Sequence, residues 1–374
     1  MERCDFLLNF NIQHSLSGGT GSGCGSKLIE RLRDEFGYKK YIFTQSVAPF
    51  RDGELPLQHY NNLLALSHLN EFADCITLFH NDDVFNHIEK QYNEYINSNP
   101  SSVTSTSKAK LMPAALKKTM NSSNANLISN DNTISIKQMN SYIIRSFLDM
   151  IYPVDNVSLK SQSIGMEYYE LQRLLCPNPN LKIIELYDVN ISPSSLSSVS
   201  RYSNVNNTNK SNPLVKQLLS LVPRYKKEFT DDHYVSINSL IIARGTHDFN
   251  NDNYSTQQIM SQIWQDYDLI KKHLNPVEWN PFTIDFWSSK SSINDPYNTN
   301  TTNTKLKANS LTIATNRNKC VDYLKQVEEK SLEKYKARAY LHWYSKFNVN
   351  DDHFENSFEN IRNVIDNYNY MTAK

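Results

Sequence analysis

Two hydrophobic periods alternate along the first eighty residues. In "NFNIQHSL", Phe10, Ile12, His14 and Leu16 recur at every second position, which predicts a strand with these four side chains on one face. "KLIERLRDEF" changes the period: Gly25, Leu28, Ile29, Leu32 and Phe36 share one face of a predicted helix. "YIFTQSVAPF" is a second strand, "LQHYNNLLALSHL" a second helix and "ADCITLF" a third strand. Strand and helix in alternation predict an α/β fold with a parallel, doubly wound sheet.

The character shifts between Tyr95 and Asn130. This stretch is rich in Asn, Ser and Thr, carries Lys108, Lys110, Lys117 and Lys118, and has no Asp or Glu, so it reads as a disordered insertion. Further on, "LKIIELYDV" and "VSINSLIIARG" are strand candidates and "QQIMSQIWQDYDLIKKHL" a helix candidate, set between the polar tracts "SLSSVSRYSNVNNTNKSN" and "SINDPYNTNTTNTKLK". The chain closes on a helix, where Phe354, Phe358, Ile361, Ile365 and Tyr368 recur every three or four residues after an Asp351–Asp352 start signal.

Composition narrows the class. Hydrophobic residues make up 39% of the 374 and charged residues 21%, as in globular proteins. Lys+Arg and Asp+Glu both number 39, so the charge gives no reason to expect nucleic acid or an anionic membrane as partner. Cys4, Cys24, Cys75, Cys176 and Cys320 are scattered, without a C-x-x-C pair, and read as reduced thiols of a cytoplasmic protein. No apolar run is long enough to span a bilayer.

The glycines carry the candidate chemistry. Of nine in the chain, five lie between Gly18 and Gly25. A strand, a glycine loop and a helix present backbone N–H groups and a helix N-terminus to a phosphate, and glycines admit close approach and positive φ. Neither G-x-x-x-x-G-K-[ST] nor G-x-G-x-x-G fits, because Ser26 separates Gly25 from Lys27 and Cys24 or Ser26 stands where the last glycine belongs. A tight strand-to-helix turn without a ligand is the alternative. No metal site is expected: "DFNND" mimics half a calcium loop, but Asn253 and Ile259 replace its glycine and closing glutamate.

"HSLSGGTGSGCG" resembles the glycine loop that tubulins place beneath the nucleotide phosphates. "LQHYNNLLALSHL" is similar to the family's next helix, and "KARAYLHWYSKF" with the helix after it to its C-terminal helical hairpin. Ser17, Gln58 and the segments "FHNDDV", "NPFTIDFW" and "YSKFNVNDDHF" point to the delta branch; the insertion and "LNEFADC" make epsilon the runner-up.

The resemblance implies a partial GTPase-type domain over residues 1–135, with the insertion at 95–130. A central helix with an acidic loop or helix would occupy 136–175, a mixed α+β intermediate domain 176–316, and a helical region 317–374. It implies GTP as cofactor, with magnesium whose ligands are not in this chain. Gly18, Gly19, Thr20, Gly21, Ser22 and Gly23 would hold the phosphates, Glu54 and Gln58 would face the ribose, and Asn61 and Asn140 the guanine. The residue that stacks on the base in the family corresponds to Ile136. Glu170 would orient the attacking water across a contact between subunits, and Glu167 is the acidic residue of the loop before it. Implied partners are other tubulins or centriolar and basal-body proteins, in the cytoskeleton. Tubulins have further strands and nucleotide-contacting loops ahead of the glycine loop. The resemblance therefore implies an N-terminally truncated chain that alone aggregates or requires a chaperone and binds GTP weakly or not at all. Two other readings stay open: a nucleotide-free structural subunit, and an unrelated enzyme with another phosphate ligand.

Overall fold

The alternating residues Asn9–Ser15 form β1, which runs into one π-helical turn, Gly19–Cys24, and from there without a break into helix α1, Gly25–Phe36. Strand β2 is Tyr41–Ala48, helix α2 Gln58–Phe72, strand β3 Cys75–His80 and helix α3 Asn81–Ser98. The computed structural model describes residues 7, 9–51, 55–98, 134–154, 156–157, 168–191, 213–225, 233–244, 247–249, 252–254, 263–289 and 309–373. The insertion read at 95–130 therefore begins later, since residues 95–98 complete α3, and the rest lies outside the described residues.

Helix α4, Ile136–Ile151, opens on a reciprocal cap between Ser135 and Gln138. Then come β4 (Asn156–Val157), α5 (Tyr168–Leu175), β5 (Ile183–Ile191), α6 (Pro213–Leu221) and β6 (Ser236–Arg244). A small pair, β7 (His247–Phe249) and β8 (Asp252–Tyr254), precedes α7 (Tyr267–Leu274), β9 (Ile284–Ser289) and β10 (Asn309–Arg317). The chain ends in α8 (Cys320–Lys336), the short α9 (Leu341–Ser345) and α10 (Asp351–Thr372).

Eight strands form one sheet in the order β1-β2-β3-β5-β10-β6-β9-β4. The first four are parallel, with Ile12 opposite Thr44 and Ile76 opposite Ile183; β10 then runs antiparallel to both β5 and β6. Strand β5, in the stretch 176–316 read as an intermediate α+β domain, pairs with β3 and so shares the sheet of the N-terminal part.

Alternation along the strands sorts the core. Ile42, Ile76, Leu78 and Ile183 face α2, α8 and α10, whereas Phe43, Cys75, Phe79 and Ile184 face α3, α4 and α5. Helices on both sheet faces are the doubly wound arrangement, and β6 is buried at all nine positions, as a strand covered on both sides must be. The C-terminal hairpin is antiparallel: Arg362 binds Glu328 at 2.6 Å while Tyr335 packs on Phe354.

One predicted helix face is corrected. Leu28 is 51% exposed, and Arg33 takes the buried side of α1. Its guanidinium donates to the carbonyls of Phe72, Gly37 and Lys40 and pairs with Asp74 at 2.7 Å, so α1 is tied to the α2–β3 connection by a cation.

A second buried network sits under α4. Arg244, fully buried, donates to the carbonyls of Asp149, Tyr152 and Pro153, covering the C-terminal end of α4. Asp188 is held by Arg145 at 2.8 Å and by the Thr312 hydroxyl at 3.0 Å. Burial, and then the charge of Asp188, push the Asp149 carboxyl well above the usual carboxylate range. A carboxyl raised on folding keeps its proton in the folded state, so stability falls as pH climbs above the ordinary value of about 4. Thermal denaturation across this range should show that decline, and Asp149→Asn should flatten it by up to about 1.4 kcal/mol per pH unit.

Candidate functional site

The site lies where the parallel strands end, the position at which open α/β sheets bind ligands. Strand β1 delivers the chain to Gly18, whose backbone is extended (φ −80°, ψ 153°) and offers no side-chain cap to the turn that follows. The first N–H groups of a helical run have no intrahelical acceptor. Here the turn and α1 are continuous, and Gly19, Thr20, Gly23 and Cys24 are exposed.

The glycines divide by role. A Cβ on Gly21 would sit 2.5 Å from Ser15 Oγ, 2.7 Å from its carbonyl oxygen and 2.8 Å from its nitrogen, so Gly21 is required for the turn to pack on β1. A Cβ on Gly19 or Gly23 would meet nothing within 4 Å. Positive φ is not what these residues supply: among the described glycines only Gly37 has it. The expectation of left-handed backbone in the loop is replaced by close approach at Gly21 and open space at Gly19 and Gly23.

Three side chains hold the turn. Ser22 is buried and donates its hydroxyl and its N–H to the Gly18 carbonyl, so that hydroxyl is spent inside the turn. His14 Nδ1 donates to the Gly21 carbonyl at 3.0 Å, and its Nε2 accepts from the Ser46 hydroxyl at 2.9 Å. A carbonyl accepts only, which puts the proton on Nδ1. Burial lowers the His14 pKa, which favours the neutral ring this tautomer requires. Sequence periodicity placed His14 on an apolar strand face and gave no sign of its bond to Gly21; a histidine amid Phe10, Ile12 and Leu16 was the available signal.

Asn61, on α2, donates from Nδ2 to the Ser17 carbonyl at 2.8 Å and accepts at Oδ1 from the Tyr344 hydroxyl at 2.7 Å. Both ends of its amide are thus committed to the protein. Asn61, expected to face the guanine, here braces the turn with one amide hydrogen and one oxygen lone pair.

A small cleft lies between the ends of β2 and β3, α2 and α8. Its lining includes Arg51, Gln58, His59, Asp82 and Lys319. Gln58 is buried and reaches the Phe50 carbonyl at 3.4 Å. Burial, with Lys334 and Lys330 nearby, brings the His59 pKa down to about 4, so this imidazole is neutral.

The remaining expected residues are not gathered at the turn. Asn140 is exposed in the second turn of α4, and Ile136 at its start is 57% exposed. Glu54 and Glu167 lie outside the described residues. Glu170 is only 2% exposed. The residue expected to orient water across a subunit contact thus lies in the interior of this chain. Among the described residues there is no cluster of three or more His, Cys, Asp or Glu able to hold a metal, and no helix is long and apolar enough to cross a membrane.

Residues 1–89 match the family model described as "Tubulin/FtsZ family, GTPase domain". The chain is similar to the tubulin epsilon chain of Mus musculus, 26% identical over 382 residues, covering 100% of this chain and 69% of the relative. It is 23% identical over 389 residues to the tubulin delta chain of Homo sapiens, covering 98% and 72%. Over 91 residues, 24% of this chain and 18% of the relative, it is 42% identical to the tubulin gamma chain of Candida albicans.

Proposed function

The chain belongs to the tubulin superfamily, similar over its length to epsilon and delta chains, and from that premise we propose that it is a guanine-nucleotide-binding subunit of the cytoskeleton. The carrying observation is the turn itself: an uncapped, exposed helical start with open space at Gly19 and Gly23, anchored from behind by Gly21 on Ser15. Such a start suits the anionic phosphates of GTP. Bound there, the nucleotide would bring its negative charge to the helix N-terminus. Gly19, Thr20 and Gly23 would contact it, while His14, Ser22 and Asn61 keep the backbone in place. Asn140 is the residue we assign to the guanine edge, and Gln58 to the ribose side.

The role we infer is binding, and no residue is assigned to turnover, Glu170 being buried within this chain. No residue is assigned to magnesium. Delta-like or epsilon-like work at microtubules, centrioles or basal bodies, beside other tubulins, is the finer proposal, and the two kinds of relative support it equally.

Titration of the full chain with fluorescent GTP and ATP analogues tests the reading. GTP is expected to bind at least about tenfold more tightly, a difference of about 1.4 kcal/mol. Asn140→Ala should erode that preference without changing the melting temperature. Equal affinity for both nucleotides would overturn the guanine assignment, and absence of saturable binding by either would overturn the nucleotide site itself.

A further inference from the structure

The backbone on either side of α9 is strained. Arg338 (φ 53°), Tyr340 (φ 61°) and Asn348 (φ 61°) are non-glycine residues in the left-handed region, where a Cβ is disfavoured. Such strain persists only where surrounding contacts over-determine it, and it concentrates at functional segments. The contacts here are definite. Tyr60 on α2 donates its hydroxyl to the Ala339 carbonyl at 3.1 Å. The Tyr344 ring meets Tyr60 edge-on at 5.6 Å and Phe354 at 5.4 Å. On the same short helix Trp343 is 49% exposed, and Phe347 just beyond it 79%. One segment therefore faces solvent with Trp343 and Phe347 and faces α2 with Tyr344.

The inward contact continues to the glycine turn. Ser17 offers a carbonyl, so the Asn61 amide must present its nitrogen there, and its oxygen is left to accept from Tyr344. The bond directions are thus fixed from the tyrosine to the loop. In a trans peptide the C=O and the following N–H point in opposite directions. Drawing the Ser17 carbonyl toward α2 therefore turns the Gly18 N–H away from it, at the residue where the helical turn begins.

We propose that Tyr344 is a positioning residue for the phosphate turn: through Asn61 it sets the orientation of the Ser17–Gly18 peptide and links the strained 338–348 segment to nucleotide affinity. The consequence for affinity rests on the nucleotide reading above; the effect on the turn does not. Linkage is reciprocal, so a nucleotide that prefers this peptide orientation also steadies the segment carrying Trp343 and Phe347.

Tyr344→Phe keeps the ring and removes the donor. On the full chain without nucleotide, hydrogen–deuterium exchange should accelerate at residues 17–24, by about fivefold, the factor one neutral hydrogen bond supplies. Affinity for a fluorescent GTP analogue should weaken by a similar factor. Asn61→Ala should do both, and adding Tyr344→Phe to it should change neither further, because the two groups act in series. Unchanged exchange at 17–24 in Tyr344→Phe, or additive losses in the double variant, would overturn the proposal. A merely structural tyrosine would lower the melting temperature while leaving exchange in the turn alone. If the wild-type chain binds no GTP analogue but exchange still responds to Tyr344→Phe, the nucleotide reading falls and the positioning link stands. Should Asn61→Ala fail to fold, the exchange result for Tyr344→Phe decides alone.

Discussion

Gly21→Ala is expected to abolish nucleotide binding and to destabilise the chain, whereas Gly23→Ala should abolish binding while leaving it at least as stable. The two substitutions add the same methyl group two residues apart. At Gly21 the methyl meets three Ser15 atoms at 2.5–2.8 Å, two of them backbone in β1, so the turn must move as a body. Forced overpacking of this kind costs about 3 kcal/mol. At Gly23 the methyl meets nothing. Replacing a helical glycine by alanine there contributes about 0.5–1 kcal/mol of stability. The same methyl stands in the open space that a phosphate would occupy, and loss of binding by at least about a hundredfold, near 2.8 kcal/mol, is expected. Melting curves beside nucleotide titrations separate the cases. If Gly23→Ala bound GTP as the wild type does, the open face of the turn would not be the ligand side.

Lys319→Met should carry the largest cost to stability. Lys319 is 8% exposed and sits between Asp83 at 2.8 Å and Glu185 at 3.1 Å, with Glu185 also accepting from the Tyr187 hydroxyl at 2.8 Å. Removing Lys319 strands the buried Glu185 carboxylate, at about 3 kcal/mol, while Asp83, with 30% of its side chain exposed, keeps part of its hydration. Burial alone would raise the Asp83 pKa, but the attraction of Lys319 outweighs it and holds the carboxyl well below the usual range. Burial alone would likewise lower Lys319, but Glu185, Tyr187 and Asp83 raise it well above 10.5.

The signs differ between the two proteins. In the wild type the depressed Asp83 contributes stability that is present above its unfolded pKa and lost only deep in acid. The raised Lys319 contributes below 10.5 and loses that contribution only in strong alkali. In Lys319→Met the Asp83 carboxylate keeps its burial but loses its main counter-charge, its pKa rises, and the folded state gains stability by binding a proton. The deficit should therefore be greatest near pH 7 and shrink toward about pH 5. A deficit that stayed constant, or grew, as pH fell would show that packing rather than stranded charge sets the cost.

The strand and helix periods determined the order of elements and the parallel start of the sheet. Ile42, Ile76 and Leu78 fall on one face and Phe43, Cys75 and Phe79 on the other because side chains alternate along any strand, a local property that residue type reveals. The glycine cluster likewise located the turn, since five such residues in eight mark backbone that must be unhindered. Tertiary structure decided what local pattern does not contain. Gly21 and Gly23 look alike in the sequence; only the approach of Ser15 distinguishes them. Asn61 and Tyr344 are 283 residues apart, and no period announces a bond over that distance. Arg33 displaced Leu28 from the buried face because acceptors at Phe72 and Asp74 arrive from 39 and 41 residues away. Glu170, which the resemblance placed at a contact between subunits, is buried where its helix packs against the sheet. Spacing along the chain reports which side chains share a face, while the partners that meet that face are set by where distant segments close against it.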